Sequence, residues 1–176
     1  LVEEALARIS GWVAPRVLDL GTGSGAIAIT LALEAPQAVV SAVEFSAAAL
    51  DRAKSNATAL GAPVSWYHGS WCEPLGDAVF DCIVSNPPYI CAEDHHLGEG
   101  DLRFEPVSAL ASGADGLSDI RAIIAAAPKH LSAGAWLLFE HGYDQAVWVR
   151  SLLAAAGFSA PGSVRDLAGI ERVSFG

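Results

Sequence analysis

The stretch Asn86-Pro87-Pro88-Tyr89 has the residue types of a small hydrogen-bond acceptor site, and it follows an apolar run at 80–85 that predicts a β-strand. Proline fixes φ and lacks a backbone N–H, and it pushes the preceding residue toward extended backbone. The turn therefore presents carbonyl oxygens and few donors. The Asn86 side-chain oxygen and the Pro87 carbonyl can accept both hydrogens of one NH2 group, while the Tyr89 ring covers a flat substrate. We call residues 86–89 the Asn-Pro-Pro-Tyr turn. Such a site suits a planar amide or amino group whose nitrogen is the nucleophile. An isolated Asn-Pro pair, however, usually only closes a strand.

A second polar cluster lies upstream, where a predicted strand at 16–20 leads into a glycine-rich turn and an apolar helix. The cluster consists of Asp19, Gly21, Thr22, Gly23, Ser24 and Gly25. Glycine allows a sharp turn and the close approach of a ligand, and Ser24 is the expected N-cap of a helix over 24–34. Gly21, Gly23 and Ala26 also satisfy the G-x-G-x-x-G/A pattern of dinucleotide sites, so this turn alone leaves an NAD site open.

Two features of this cluster favour S-adenosylmethionine over NAD. Asp19 lies within the strand end, where it can receive a cationic or hydroxyl-bearing group. Gly25 comes one position earlier than the dinucleotide spacing requires. This spacing is more typical of S-adenosylmethionine sites, which hold no pyrophosphate.

Together, the two motifs resemble those of class I methyltransferases that modify amino or amide nitrogens. The closer resemblance is to the HemK-type protein-glutamine N5-methyltransferases that act on peptide chain release factors. The stretches that carry it are LDLGTGSGAIAI (18–29), FDCIVSNPPYI (80–90), RFEPVSALASGADGL (103–117) and DLAGIERV (166–173).

The resemblance implies methyl transfer from S-adenosylmethionine to the amide nitrogen of the glutamine in a release factor's Gly-Gly-Gln motif, with S-adenosylhomocysteine as product. It implies catalytic roles for Asn86, Pro87 and Tyr89, which bind the substrate together with Pro88. The implied cofactor-binding residues are Asp19, Gly21, Thr22, Gly23, Ser24, Gly25, Glu44, Ser70, Trp71 and Asn86. Substrate docking in the family also involves a small helical N-terminal domain, which we expect to be absent from 1–176.

Three of these cofactor residues need comment. Glu44 ends the second predicted strand about 20 residues beyond the glycine turn, where an acid can accept hydrogen bonds from both ribose hydroxyls; the family prefers Asp there. Ser70 replaces the family's usual Asp before Trp71, so its hydroxyl accepts more weakly from the adenine amino group. Trp71 is either a wall against the adenine or a core aromatic residue.

Strands and helices alternate along the chain, which predicts an α/β class I methyltransferase fold: a seven-stranded, mostly parallel sheet with an antiparallel C-terminal hairpin. The predicted helices are 1–13, with Val2, Leu6, Ile9 and Val13 on one face, then 24–34, 46–60, 117–131 and 144–156. The predicted strands are 16–20, 39–44, 64–68, 80–85, 135–140, 158–166 and 171–175. We expect one catalytic domain over 1–176, with ligands at the carboxyl ends of the strands.

Composition narrows the class of protein. Ten basic and twenty acidic residues give a formal charge of −10, which disfavours unaided nucleic-acid binding and fits a protein partner. Hydrophobic residues make up 52% of the chain, yet no apolar run is long enough to span a membrane, so we expect a cytoplasmic protein. Cys72, Cys82 and Cys91 have no zinc-binding spacing, and Cys82 is expected to pack in a strand.

The segment 90–116 is predicted to be a solvated loop on the substrate side. Cys91, Glu93, Asp94, His95 and His96 resemble metal ligands, but no second segment contributes to them, and we predict no metal site. Glu105 is expected to brace this loop or the Asn86 turn.

Three alternatives remain open from the sequence. The same N-methylation could act on a glutamine of a ribosomal protein or on an amino group of a nucleic-acid base. The chain could instead be an NAD-dependent oxidoreductase, or a non-catalytic module that binds the cofactor.

Overall fold

The computed structural model describes residues 1–93, 106 and 109–176. The strands are β1 Arg16–Leu20, β2 Val39–Glu44, β3 Val64–His68, β4 Phe80–Ser85, β5 Leu131–Glu140, β6 Gly162–Arg165 and β7 Glu171–Phe175. The helices are α1 Val2–Ile9, α2 Ala26–Glu34, α3 Ala47–Leu60, α4 Ser118–Ala126 and α5 Ala146–Ala155.

The strands form one seven-stranded sheet in the order β3-β2-β1-β4-β5-β7-β6. β1 pairs in parallel with β2 and with β4, and β2 pairs in parallel with β3. β6 and β7 form an antiparallel pair. The predicted α/β class and the predicted sheet with its C-terminal hairpin are therefore confirmed.

Two compact units make up the chain: residues 1–85 with 126–138, and residues 86–125 with 139–176. In the first unit, β1 and β4 supply fully buried apolar side chains, among them Leu18, Leu20 and Ile83. Cys82 is also fully buried, as predicted for a packing residue. In the second unit, Val149 and Leu153 of α5 are fully buried together with Phe139.

The first helix is shorter than predicted. α1 ends at Ile9 rather than at residue 13, because Ser10 already has an extended ψ of 128° and Gly11 follows it with a left-handed φ of 82°. Val13 is 97% exposed and does not share the buried face of Ile9.

The second helix also begins later than predicted. Gly25, at φ 86°, is the N-cap of α2, and no side chain caps this helix, so the predicted capping role of Ser24 is wrong. Ser46, in contrast, caps α3 as predicted, with its hydroxyl accepting from the Ala49 N–H at 3.3 Å. Gly61 ends α3 in a left-handed conformation.

Boundaries in the C-terminal half differ from the predictions by a few residues. The predicted helix 117–131 is α4 followed by a 3₁₀ turn, Ala127–His130, because Pro128 lacks the N–H that an α-helix needs there. β5 consequently begins at Leu131, four positions before the predicted 135. α5 and β6 are shorter than the predicted 144–156 and 158–166.

Candidate active site

The Asp19 carboxylate is fully buried at the end of β1. Its Oδ2 accepts from the Thr22 hydroxyl at 2.6 Å and from the Ala28 N–H at 3.1 Å. Its Oδ1 is buried and has no hydrogen-bond partner in the part of the chain that the structure describes. Burial raises the pKa of Asp19 to about 6, against the lowering effect of the bonds from Thr22 and Ala28. Asp19 thus offers an unsatisfied acceptor to a cationic or hydroxyl group.

Glu44 connects the glycine turn to the start of α3. Its Oε2 accepts from the Gly23 N–H at 2.8 Å, and its Oε1 accepts from the Ser46 N–H at 2.8 Å. Each carboxylate oxygen retains capacity for a further donor. Glu44 therefore holds the turn in place, and it can still accept ribose hydroxyls as predicted.

Gly25 allows α2 to pack closely against α3. A Cβ at Gly25 would lie 2.9 Å from Ile29 Cδ1 and 3.1 Å from Ala53 Cβ. The Asn56 side chain donates to the Ser24 carbonyl at 2.9 Å. Asn56 of α3 thus holds the backbone of the turn in place. Ser24 takes part in this contact through its carbonyl oxygen and not through its hydroxyl.

Trp71 lies beside the glycine turn. A Cβ at Gly21 would lie 3.0 Å from Trp71 Cζ3, and Trp71 has a left-handed φ of 43°. Its side chain is half-buried, as is Ser70. This placement suits a wall of a ligand site better than a core position, so the role of Trp71 as adenine wall stays a prediction with geometric support.

The Asn-Pro-Pro-Tyr turn lies in the second unit. Asn86 is exposed, Pro87 is buried, and Pro88 and Tyr89 are half-buried. The Tyr89 carbonyl accepts from Gln145 Nε2 at 2.9 Å, and the Arg172 guanidinium lies 6.0 Å from the centroid of the Tyr89 ring. The turn thus presents the Asn86 amide to solvent from a backbone that is anchored behind it.

A cavity of about 570 Å³ lies in the second unit next to Tyr89, a volume within the usual range of ligand pockets. Its walls include Tyr89, Ile90, Cys91, Asp115, Leu117, Arg121, Gly142, Tyr143, Asp144, Gln145, Trp148 and Arg172. Arg121 forms an ion pair with Asp115 at 2.6 Å and lowers the pKa of that carboxyl to about 2.

The structure brings the predicted cofactor residues Asp19, Thr22, Gly23 and Glu44 together through hydrogen bonds within the first unit. Four participants were missed. Asn56, Gln145 and Gly116, which packs against the Tyr89 carbonyl, carry no local motif, whereas Ser85 is a polar residue at the carboxyl end of β4, a position that could have indicated it. The Ser85 hydroxyl donates to the Leu20 carbonyl at 2.8 Å.

Several predictions concern the 90–116 loop. Glu105, Asp94, His95 and His96 lie outside the described residues. The Cys91 thiol donates to the Ala114 carbonyl at 2.7 Å. Within the described residues, no group of three His, Cys, Asp or Glu side chains could hold a metal ion. Among the same residues, no helix is long and apolar enough to cross a membrane.

Residues 4–99 match the model of the methyltransferase small domain family. The chain is 54% identical over its whole length to the release factor glutamine methyltransferase of Xylella fastidiosa (strain Temecula1 / ATCC 700964), of which it covers 64%. It is also 54% identical to the protein of the same name from Bordetella pertussis (strain Tohama I), of which it covers 66%. The chain thus spans less than two thirds of the length of these relatives.

Among solved structures, the Thermus thermophilus 16S rRNA N2 G1207 methyltransferase in complex with AdoMet and guanosine superposes with a TM-score of 0.68 at 25% identity, over 99% of this chain and 41% of that one. The family match favours the methyltransferase interpretation of the glycine turn over the dinucleotide one.

Proposed function

The chain belongs to the methyltransferase small domain family, and on that premise we propose that it transfers a methyl group from S-adenosylmethionine to the side-chain amide nitrogen of a glutamine in a peptide chain release factor. The proposal rests chiefly on the Asn-Pro-Pro-Tyr turn, where an exposed Asn86 amide stands on a backbone with a buried Pro87. Names of relatives that are 54% identical over the whole chain support the substrate. A cytoplasmic location stays a prediction.

The glycine-turn residues fit the cofactor. The buried, unpartnered Oδ1 of Asp19 would accept from the cofactor's ammonium group, since a buried acceptor without a donor is costly. Glu44 would accept ribose hydroxyls, and Trp71 would lie against the adenine with Ser70 accepting from its amino group. Gly21, Gly23 and Gly25, all with positive φ, would let the backbone approach the ligand.

The mechanism assigns the substrate nitrogen to the Asn-Pro-Pro-Tyr turn. S-adenosylmethionine, when bound, supplies a methyl group on a sulfonium, which is already a good electrophile. An amide nitrogen is a poor nucleophile because its lone pair is shared with the carbonyl. Asn86 and the Pro87 carbonyl would accept its two N–H hydrogens, which aims the lone pair and stabilises positive charge as the N–C bond forms. The bond between the methyl group and sulfur would break as the N–C bond forms, leaving S-adenosylhomocysteine, and the excess amide proton would pass to water. Tyr89 would cover the substrate.

A labelling experiment tests the proposal. The protein and its Asn86→Ala variant are incubated with methyl-labelled S-adenosylmethionine and an extract from cells that lack this activity, and the labelled species is identified by mass spectrometry. Label on a release-factor glutamine, lost with Asn86→Ala, is the expected result. Label on a ribosomal protein or a nucleic acid would retain the mechanism and reject the substrate. Cofactor binding without any label would reject the proposed transfer by this chain.

A further inference from the structure

We infer that Gln145 is a positioning residue for the Asn-Pro-Pro-Tyr turn, an inference that rests on the function proposed for that turn. Gln145 is 8% exposed, immediately before α5. Its Oε1 accepts from the Gly142 N–H at 2.8 Å, and its Nε2 donates to the Tyr89 carbonyl at 2.9 Å. Because the Gly142 N–H can only donate, it fixes which end of the amide is oxygen and points the NH2 group at Tyr89.

The turn needs such an external donor. Pro87 and Pro88 supply no N–H groups, so this part of the backbone cannot hold itself through its own amides. The chain is held instead at its exit, where the Tyr89 carbonyl receives Gln145 and the next amide, Ile90 N–H, donates to the Leu110 carbonyl at 2.9 Å. Two consecutive backbone groups are thus fixed by partners distant in sequence.

Gly116 closes the remaining space around this contact. A Cβ at Gly116 would lie 2.3 Å from the Tyr89 carbonyl oxygen and 2.7 Å from Gln145 Nε2. Gln145 Nε2 also lies 3.5 Å from the Gly116 carbonyl. The Tyr89 carbonyl is therefore held between the NH2 group of Gln145 and the backbone of Gly116. Because this carbonyl is held in place, we expect the Tyr89 ring and the two preceding prolines to be held in place as well.

Through this contact, Gln145 can affect the position of the proposed catalytic groups without contacting the substrate itself. Asn86 and the Pro87 carbonyl precede Tyr89 by three and two positions on a proline-stiffened backbone. A shift of about 1 Å in a positioning group can cost about 100-fold in rate. Loss of the Gln145 bond should therefore lower the rate of transfer rather than cofactor affinity.

Two variants and one control test the inference. Gln145→Leu removes both hydrogen bonds at similar volume. Gln145→Glu retains an acceptor for Gly142 and places an oxygen against the Tyr89 carbonyl. The control, Ser174→Ala, removes bonds to His141 and Ser163 from a second buried polar side chain of the same unit, which is fully buried. The measurements are kcat, the KM for the protein substrate, the Kd for S-adenosylmethionine, the unfolding midpoint, and hydrogen exchange of the Ile90 and Ala92 amides.

We expect both Gln145 variants to lose about 10- to 100-fold in kcat, with the cofactor Kd within about twofold of wild type and faster exchange at Ile90 and Ala92. Ser174→Ala should retain kcat within about threefold at a comparable loss of stability. Should Gln145→Leu fail to fold, Gln145→Glu decides.

A folded Gln145→Glu protein with near-normal kcat and unchanged exchange would overturn the inference. It would equally be overturned if Ser174→Ala lost as much kcat at the same unfolding midpoint. If the wild-type protein methylates nothing, the proposed function fails, but hydrogen exchange still tests the positioning role of Gln145. Faster exchange at Ile90 and Ala92 in Gln145→Glu, but not in Ser174→Ala, would support that role. Equal exchange in the two variants would reject it.

Discussion

Glu44 Oε2 accepts a hydrogen bond from the Gly23 N–H at 2.8 Å, across 21 positions of sequence. The bond ties the end of β2 to the glycine turn after β1, and the second oxygen of Glu44 binds the Ser46 N–H at the start of α3. The glycine turn, β2 and the start of α3 are thereby joined by one carboxylate. Glu44, which is also expected to bind the ligand, consequently helps to set the conformation of the glycine turn.

Replacement of Glu44 should weaken cofactor binding. In Glu44→Gln, one end of the side chain becomes an NH2 group that faces a backbone N–H donor, so one of the two part-buried bonds is lost and its N–H donor loses its partner. We expect the Kd for S-adenosylmethionine, measured by calorimetry, to rise by about 10- to 100-fold, because the variant should lose about 1–3 kcal/mol of binding free energy. Glu34→Gln, at an exposed position of α2, is the control. An unchanged Kd for Glu44→Gln would contradict this role.

The raised pKa of Asp19 predicts a pH-dependent cofactor affinity. Its pKa is about 6 because of burial, so below pH 6 the free protein carries a proton that an incoming ammonium group must displace. Affinity should fall as the pH decreases below about 6, by at most about tenfold per pH unit, and should be level above it. Calorimetry between pH 5 and pH 7.5 measures this, and Asp19→Asn should bind weakly with a flat profile. Equal wild-type affinity at both ends of the range would contradict it.

The same group affects stability with a definite sign. The pKa of Asp19 is raised from 3.8 to about 6 in the fold, so the native state holds the proton more tightly than the unfolded chain. The contribution of Asp19 to the free energy of unfolding therefore decreases as the pH rises from about 4 to about 6. Urea denaturation across this range should show a smaller decrease for Asp19→Asn; identical slopes would show that Asp19 is not responsible.

Close packing at Gly25 should make this position intolerant of a side chain. Gly25→Ala places a Cβ on a residue with left-handed backbone, 3.1 Å from Ala53 Cβ. The cost of the strained backbone and the cost of the close contact with α3 should therefore both lower the free energy of unfolding. We expect a loss of about 2–4 kcal/mol in the free energy of unfolding. Gly11→Ala has a similar φ of 82° and no atom within 4 Å, and it should cost only about 1–2 kcal/mol. Equal losses in the two variants would show that the contact with α3 has no effect.

The exposed Asn86 side chain should separate catalysis from cofactor binding. Asn86→Ala removes an acceptor for the substrate N–H while the Pro87 carbonyl remains, so kcat should fall by about 100-fold or more. The Kd for S-adenosylmethionine should stay within about threefold, because the proposed cofactor contacts lie mainly around Asp19 and Glu44. Kinetics with labelled cofactor and calorimetry measure the two effects. Near-normal turnover would overturn the assignment of Asn86.

The features that could be predicted from sequence are those with a local cause. The strand bounds of β1 to β4 followed from apolar runs, and Ser46 and Gly61 marked the ends of α3 through capping chemistry. The start of α2 was misjudged because Ser24 and Gly25 are both acceptable N-caps, and only the packing of Gly25 against Ala53 decides between them.

Contacts distant in sequence could not be read from the residues alone. Gln145 reaches the Tyr89 carbonyl across 56 positions, and Asn56 reaches the Ser24 carbonyl across 32. Neither side chain has a local pattern that distinguishes it from a polar surface residue. The candidate site could thus be predicted as a set of chemical groups, whereas the side chains that hold those groups in place emerged only from the fold.

The most direct test of the central claim is the identity of the methylated atom. Purified release factor is incubated with the protein and methyl-labelled S-adenosylmethionine, beside a release factor whose Gly-Gly-Gln glutamine is replaced by alanine, and the modified peptide is sequenced by mass spectrometry. We predict one methyl group on the side-chain nitrogen of that glutamine and none on the alanine variant. Methylation at another residue, or equal labelling of both release factors, would contradict the account.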